Sequence, residues 1–293
     1  MNILVAVDFS EATAIILEEL SRRTWPAGSA FTILSVVEPV GVLETENLAG
    51  RRTEHAQKLT EDAAATLRQR GLDAATAVLS GSPKAVIVEE AGKRRADLVA
   101  VGSHGTKGMA RFLLGSVAKN VVRHAPCSVL VVRTAAEDRA GRSGMKILLA
   151  TDGSPSSFDA AKAVAARSWP VGTEVRIVNV LEMSVPLLET SYFDQSAMEA
   201  YRAAAMKHSQ DAIAQAEEIL AASGLATSES LSVLLDPPKE TILNEASEWG
   251  ADLIVVGSHG HSAIGAFLLG SVSEDVAIHA SCSVEVVRSR AEG

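Results

Sequence analysis

The sequence predicts an α/β protein with two tandem, doubly wound domains, each built on a five-stranded parallel sheet with helices on both faces. Short apolar runs alternate with longer stretches of helical periodicity, and this alternation occurs twice along the 293 residues. Hydrophobic residues make up 47% of the chain but aromatic residues only 4%, so the cores must consist mainly of Ala, Val, Leu and Ile. Such a composition is typical of buried parallel strands covered by helices.

In the first copy, five apolar runs predict strands and the stretches between them predict helices. The second helix should end before Gly71, because glycine readily adopts the left-handed conformation that terminates helices. The predicted strands are Ile3–Val7, Phe31–Val37, Ala75–Leu79, Leu98–Val101 and Ser128–Val132. The predicted helices are Ser10–Arg23, Arg51–Arg70, Pro83–Lys93 and Ser116–His124, and the second copy repeats the order from Ile147 to Val287.

The duplication is visible in two pairs of matching segments. ADLVAVGSHG at 96–105 recurs as ADLIVVGSHG at 251–260, and RFLLGSV at 111–117 recurs as AFLLGSV at 266–272. Both pairs are offset by 155 residues. Repeats of this kind indicate that one structural unit occurs twice.

The offset near the start of each copy is smaller. Trp25-Pro26 matches Trp169-Pro170 at 144 residues, so the second copy has 11 extra residues, which we place around Glu182 to His208. A polar, charged segment separates the copies and gives the predicted boundaries: a first domain at 1–134, a linker at 135–144 and a second domain at 145–290.

Composition excludes several classes of protein. The chain has 27 Lys and Arg against 36 Asp and Glu, a net charge of −9, and no long basic run, which argues against nucleic-acid and membrane-surface binding. Asp8 interrupts the first apolar stretch and no run approaches the ~18 apolar residues of a membrane span, so we expect a cytoplasmic protein. Two cysteines, Cys127 and Cys282, are too few for a disulfide framework and suggest no metal cluster with the scattered histidines.

A glycine motif follows the fourth strand of each copy. Gly102-Ser-His-Gly105 precedes Gly115-Ser116 by nine residues, and the second copy repeats the spacing. Small residues let the backbone approach a ligand closely, and free N–H groups at a helix start bind phosphate oxygens, so the motif predicts an anion site. Asp8, at the end of the first strand, should reach the same edge of the sheet. Three alternatives stay open: the glycines make ordinary turns, the aspartates only cap helices, and the motif histidines only pack in the loops.

These residues resemble the universal stress protein family, whose ATP-binding members carry G-x2-G-x9-G-[S/T] after a strand and an Asp at the end of the first strand. The resemblance covers nearly the whole chain outside the linker and tails. It implies a Rossmann-like sheet of the nucleotide alpha-hydrolase type, with strand order 3-2-1-4-5, and pairing of two domains through their fifth strands. In a tandem chain that pairing can form internally, and a homodimer is the alternative.

The resemblance also implies which residues contact ATP, with or without Mg²⁺. In the first copy they are Asp8, Val37, Val101, Gly102, His104, Gly105, Gly115, Ser116 and Val117. In the second copy they are Asp152, Val180, Val256, Gly257, His259, Gly260, Gly270, Ser271 and Val272.

Three functions remain open at this stage. The favoured one is an ATP-binding stress-response regulator whose downstream partner the sequence does not name. A slow ATPase or phosphotransferase is the second, although no GxxxxGK[ST] loop or GxSxG elbow occurs and we expect no dedicated catalytic residues. A scaffold without ligand is the third.

The copies differ in charge. Cations near the first loop are lost from the second, and Asp236 replaces Gly81, so we expect the first site to bind triphosphate more tightly, unless these side chains only cover solvated helix faces. Glu285 replaces Leu130 in the last strand and must reach solvent or a cationic partner. The lost cations are Lys107, Arg111, Lys119 and Arg123, which become Ser262, Ala266, Glu274 and Ile278.

Overall fold

A computed structural model describes residues 1–39, 46–104, 114–133, 142–181, 195–234, 236–261 and 269–289. The first domain contains β1 (Asn2–Ala6), α1 (Ala12–Arg22), β2 (Ala30–Val37), α2 (Glu46–Gln69), β3 (Asp73–Ser80), α3 (Pro83–Lys93), β4 (Leu98–Gly102), α4 (Ser116–His124) and β5 (Ser128–Val132). The second contains β6 (Lys146–Thr151), α5 (Pro155–Ala165), β7 (Glu174–Leu181), α6 (Gln195–Ala221), β8 (Ala226–Thr227), β9 (Leu231–Leu234), α7 (Pro238–Trp249), β10 (Leu253–Gly257), α8 (Ser271–His279) and β11 (Ser283–Val287).

The sheet has the predicted order. Strands of the first domain run β3-β2-β1-β4-β5 and pair in parallel, which confirms the doubly wound 3-2-1-4-5 arrangement. The second domain repeats it, and β5 joins β11 in antiparallel pairing, so one sheet runs through both domains. The fifth strands therefore pair within the chain.

Strand residues alternate between two cores, one on each face of this sheet. Ile3 and Val5 of β1 belong to the core covered by α1 and α2, whereas Leu4 between them belongs to the core on the α3 and α4 face. Because both faces are buried, the strands read as continuous apolar runs. The second helix ends as expected, with Gly71 at φ +80°.

The second domain departs from the first at its edge strand. β3 pairs with β2 over eight residues, but its counterpart is broken into β8 and β9, both paired with β7. The pairing registers make the second copy one residue longer between Thr227 and Leu231. At least one extra residue thus lies in this break, whereas our prediction placed them all around 182–208; residues 182–194 of that segment lie outside the described residues.

The partner of Glu285 is cationic, and it lies at the junction of the two domains. Glu285 sits on β11 directly opposite Leu130 of β5 and is fully buried. Arg167 donates to both of its carboxylate oxygens at 2.6 Å. Arg23 lies 3.4 Å from the same carboxylate and donates to Glu19 at 2.7 Å. A buried network of two carboxylates and two guanidinium groups thus joins the domains.

A second contact across the junction is reciprocal. Arg133, after β5, donates to the carbonyls of Ala277 and Ile278 at 2.8 and 2.9 Å, at the end of α8. Arg288, after β11, donates to carbonyls at the end of α4, including that of Val122 at 2.8 Å. Each domain therefore satisfies the last carbonyls of a helix in the other, where a cation is favourable. Burial lowers the pKa of Arg133 to about 10.

Cys127 and Cys282 are buried and form no disulfide. Among the described residues, no helix is long and apolar enough to cross a membrane, and no three His, Cys, Asp or Glu side chains are grouped as a metal site.

Candidate functional site

A cleft of about 630 Å³ opens in the first domain, beyond the carboxyl ends of β1 and β4. In this sheet order the chain winds in opposite directions from β1 and β4, and ligands of doubly wound sheets bind at such a point. Every predicted first-copy site residue that the structure describes lines the cleft; Gly105 lies outside the described residues. These lining residues are Asp8, Val37, Val101, Gly102, His104, Gly115, Ser116 and Val117.

The loop after β4 is closed by its own backbone. The N–H of Gly115 donates to the carbonyl of Ser103 at 2.7 Å, so it is used inside the loop and does not face a ligand as we expected. The first bond of α4 runs from the N–H of Lys119 to the carbonyl of Gly115. The amides of Ser116 and Val117 precede that bond, and α4 has no side-chain cap. The positive end of α4 therefore faces the cleft.

Asp8 organises the turn between β1 and α1. One carboxylate oxygen accepts from the N–H of Ser10 at 3.0 Å and from its hydroxyl. The backbone of Asp8 exchanges hydrogen bonds with the hydroxyl of Thr13. The carboxylate is thus held at the cleft by a local turn, and its structural role and a ligand contact are compatible.

The two ring nitrogens of His104 differ in their surroundings. Its Nδ1 lies 3.0 Å from the hydroxyl oxygen of Ser103. Its Nε2 is buried and has no hydrogen-bond partner among the described residues. Buried polar atoms usually find a partner, so this nitrogen is suited to a group that enters the cleft.

The first glycine of the motif has a packing role. A Cβ on Gly102 would lie 2.6 Å from Cβ of Ala12, and one on Gly257 would lie 2.7 Å from the backbone of Ser156. Both glycines therefore allow the first helix of their domain to pack closely on the fourth strand. This explains them without a ligand.

Sequence reasoning missed several lining residues: Phe9 after Asp8, Arg52 and His55 on α2, and Lys84 at the start of α3. They lie outside the glycine motif, and no pattern in their surroundings marks them. Only the fold brings α2 and α3 to the cleft.

In the second domain the motif loop contacts Asp152 directly. A Cβ on Gly260 would be 2.4 Å from the carboxylate of Asp152. The Nε2 of His261 lies 3.0 Å from the carbonyl of Asp152. The motif loop is closed as in the first domain, with the N–H of Gly270 donating to Ser258 at 2.8 Å and Nδ1 of His259 2.9 Å from the Ser258 hydroxyl oxygen.

Helix α6 covers this second site. Gly153, at φ +81°, stands where the first domain has Phe9, and a Cβ there would lie 3.2 Å from Cβ of Ala212 and 3.4 Å from Nε2 of His208. The rings of His208 and His261 are 5.8 Å apart. Side chains of this domain thus occupy space near Asp152.

The remaining predicted residues of the second site fall on its strands and its last helix. Val180 and Val256 are buried, and the pairing register makes Val180 the counterpart of Val36 and not of Val37. Ser271 and Val272 begin α8, which also lacks a side-chain cap.

Two of the cations expected near phosphate have another partner. Lys119 and Arg123 face Glu274 of α8, with the Lys119 Nζ at 3.9 Å and the Arg123 Nε at 2.8 Å. They therefore contribute to the domain junction, because α4 and α8 are neighbours there. Lys107 and Arg111 lie outside the described residues.

A different cation distinguishes the two clefts. Lys84 forms no ion pair with any residue that the structure describes. Its counterpart Lys239 pairs with Asp275 at 3.4 Å and Glu240 at 3.8 Å. Asn120 stands in place of Asp275 in the first domain. The first cleft is thus lined by a lysine without an ion pair among the described residues, whereas its counterpart in the second domain is paired.

Comparison with known proteins agrees with this architecture. The model of the universal stress protein family matches residues 1–133 and 145–288. A universal stress protein of Mycolicibacterium smegmatis is 27% identical over 308 aligned positions, covering 99% of this chain and 97% of that protein. A crystal structure of a universal stress protein from Archaeoglobus fulgidus covers 100% of this chain and 97% of its own, with TM-score 0.66 and 21% identity. A universal stress protein in complex with cAMP matches 46% of this chain and 98% of its own, with TM-score 0.36 and 24% identity.

The fold and the duplicated motif define a tandem α/β protein with two doubly wound domains. The chain belongs to the universal stress protein family, a stress-response class, with one family domain in each half.

Proposed function

We propose that this protein is a stress-response regulator that binds ATP in the cleft of its first domain and binds it more weakly, or not at all, in the second. The observation that carries the proposal is the convergence of all eight described first-copy site residues on one cleft. Two separate parts of the sequence, the end of β1 and the glycine motif, meet at that cleft.

The cleft suits the chemistry of a nucleotide. Its volume of about 630 Å³ falls within the ~300–1,000 Å³ of small-molecule sites. Apolar side chains, among them Val37 and Val101, offer a surface for a base, and the uncapped start of α4 offers donors to phosphate oxygens. Asp8 and Glu38 are the carboxylates that line it, and they would hold Mg²⁺ together with the phosphates.

The difference between the domains supports one strong site per chain. In the second domain, Nε2 of His261 lies 3.0 Å from the Asp152 carbonyl, and α6 packs on Gly153. Lys84 is available in the first cleft, whereas Lys239 is paired with Asp275. The reason to expect unequal ATP affinity is therefore the difference between Lys84 and Lys239, and not the loss of Lys119 and Arg123 from the second domain.

Native mass spectrometry of the undialysed protein, followed by chromatography of extracted nucleotide, tests the proposal. One adenine nucleotide per chain is expected, lost in Gly115→Trp and retained in the matched variant Gly270→Trp. Equal loss in both variants would contradict the asymmetry. Absence of bound nucleotide, with no rise in melting temperature on adding ATP, would favour the scaffold, because a ligand in excess stabilises the fold it binds.

Slow ATP hydrolysis is the second candidate function. The fate of the bound nucleotide distinguishes it from ATP binding without hydrolysis. We expect intact ATP after prolonged incubation, since the motif supplies no dedicated residue to position water. Stoichiometric conversion to ADP that is abolished in Gly115→Trp would establish the slow ATPase instead.

A further inference from the structure

The junction between the domains has an approximate two-fold axis that passes between Leu130 and Glu285. These two residues are equivalent in the duplication, being 155 positions apart, and they face each other where β5 pairs with β11 in antiparallel fashion. Such an axis relates equivalent residues, so each junction side chain lies where its counterpart would lie in a pair of like domains. The observed contacts therefore indicate what two first domains, or two second domains, would bring together.

Most of the junction does not distinguish like from unlike domains. Both strands carry a valine on either side of the axis residue, so the apolar part of the ladder is the same in each domain. Arg133 and Arg288 are also equivalent, and each donates to carbonyls at the end of the facing helix. A pair of like domains would keep all of these contacts. Any selectivity must therefore come from other residues.

The two helices that meet at the junction carry opposite charges. Nε of Arg123 on α4 lies 2.8 Å from a carboxylate oxygen of Glu274 on α8, and Nζ of Lys119 lies 3.9 Å from the same atom. Glu274 is the counterpart of Lys119, so in a pair of first domains a lysine would stand where Glu274 now lies. In a pair of second domains, Glu274 would face its own copy. Both like pairs thus set like charges against each other.

The buried strand position opposes pairs of second domains in particular. Glu285 is fully buried, and the residue that faces it is the apolar Leu130. Opposite another β11 it would face a second buried carboxylate, and like charges directly opposite each other on paired strands are destabilising. In the observed network the other carboxylate, that of Glu19, lies on α1, where Arg23 donates to it at 2.7 Å. The unlike pair thus avoids placing two carboxylates at the axis.

We propose that these charges make the junction selective, so that each domain accepts the unlike domain as its partner and rejects a second copy of itself. Specific interfaces commonly combine attraction between correct partners with repulsion between wrong ones. The fifth strands consequently do not join like domains of two chains, which excludes that mode of homodimer. The selectivity requires no nucleotide, so it is independent of the proposed function.

The test uses the full chain with a protease site inserted in the predicted linker and cleaved after purification. The two halves are unfolded in urea and refolded together, and native mass spectrometry then counts the unlike pairs and both kinds of like pair. Random pairing would make half of all pairs unlike. In the wild type we expect unlike pairs to exceed like pairs about tenfold or more, because like charges set across an interface are strongly unfavourable.

Two changes in the second domain should remove the selectivity. Glu285→Leu/Arg167→Met places apolar residues at the axis of every pair, and Glu274→Lys sets a cation against α4 in the unlike pair. Each should raise the share of like pairs, and together they should bring unlike pairs to about half. Glu218→Lys is the matched control, since it makes the same change of charge at an exposed position of α6, which packs on β7 away from β11. It should leave the wild-type distribution unaltered.

The uncleaved chain gives a second readout that does not depend on refolding of separate halves. Like domains of uncleaved protein can pair only between two chains, so the combined variant at high concentration should contain dimers whose cleavage releases like pairs. Wild-type dimers that release like pairs, or random pairing of the wild-type halves, would overturn the proposal. So would a combined variant that gives unlike pairs alone in both readouts, because the charges would then not be the source of the selectivity.

Discussion

Replacing Glu285 by leucine should destabilise the protein strongly, although leucine is what the first domain carries at the matching position. The substitution leaves Arg167 and Arg23 buried while removing the carboxylate that both contact. Breaking a buried ion pair from one side costs about 3–5 kcal/mol, because the remaining charge stays without compensation. Arg23 keeps Glu19 at 2.7 Å, so most of the effect should come from Arg167.

The double variant Glu285→Leu/Arg167→Met gives the matched control. It removes both members of the closest pair and leaves apolar side chains opposite Leu130, while Glu19 and Arg23 still compensate each other. Replacing a buried ion pair by apolar residues is often neutral or stabilising. The unfolding free energy of the double variant should therefore be within about 1 kcal/mol of the wild-type value or higher than it. Urea titration gives the unfolding free energies of the wild type, Glu285→Leu, Arg167→Met and the double variant, and the cycle of these four proteins isolates the interaction energy of the pair.

At acidic pH, the difference in unfolding free energy between Glu285→Leu and the wild type should become smaller. Burial by itself would raise the pKa of Glu285, but the charges and hydrogen bonds of Arg167 and Arg23 overcome it and hold that pKa below its ordinary value of 4.5. A lowered native pKa means that the stabilisation is present above pH 4.5 and is lost as the pH falls through the native value. A cost below about 1 kcal/mol at pH 7, or a double variant as unstable as the single one, would refute this account.

Three further predictions concern other contacts. Gly257→Ala should lower the unfolding free energy by about 1–3 kcal/mol, because its Cβ would lie 2.7 Å from the Ser156 backbone; unchanged urea midpoints would contradict this. Lys84→Gln should reduce the affinity for ATP measured by calorimetry by up to about fivefold, as expected of an exposed charge, while Lys239→Gln should leave that affinity unaltered. Arg133→Met should lower the unfolding free energy measured in urea by about 2 kcal/mol. The two hydrogen bonds to α8 that are lost outweigh the desolvation penalty that disappears with the buried charge.

Much of the fold could be predicted because its signals are local. Apolar runs and helical periodicity placed most strands and helices of the first domain within about two residues of their observed bounds. Helix α2 is the exception, since it begins at Glu46 and not at the predicted Arg51, although it ends before Gly71 as expected. The break between β8 and β9 was not predictable, since one additional residue in an edge strand leaves no clear mark on periodicity.

The site was predictable where a motif carries it. The end of β1 and the glycine loop share an edge in any parallel sheet of this order, and the structure does bring Asp8 and Gly115 to one cleft. Phe9, His55 and Lys84 were missed because no motif includes them. Lys119 and Arg123 lie close to the glycine motif in sequence, and this proximity gave no sign that both face Glu274 of α8.

By itself, the sequence determined the duplication, the class of fold and the family motif, all of which depend on the order of residues within short segments. Only the tertiary structure decided that Glu285 is neutralised by Arg23, 262 residues away, and by Arg167. It also decided that His261 lies against Asp152 and that Gly153 packs against α6 in the second domain. Charge compensation and packing depend on side-chain contacts between residues that are far apart in sequence, and no local sequence pattern specifies those contacts.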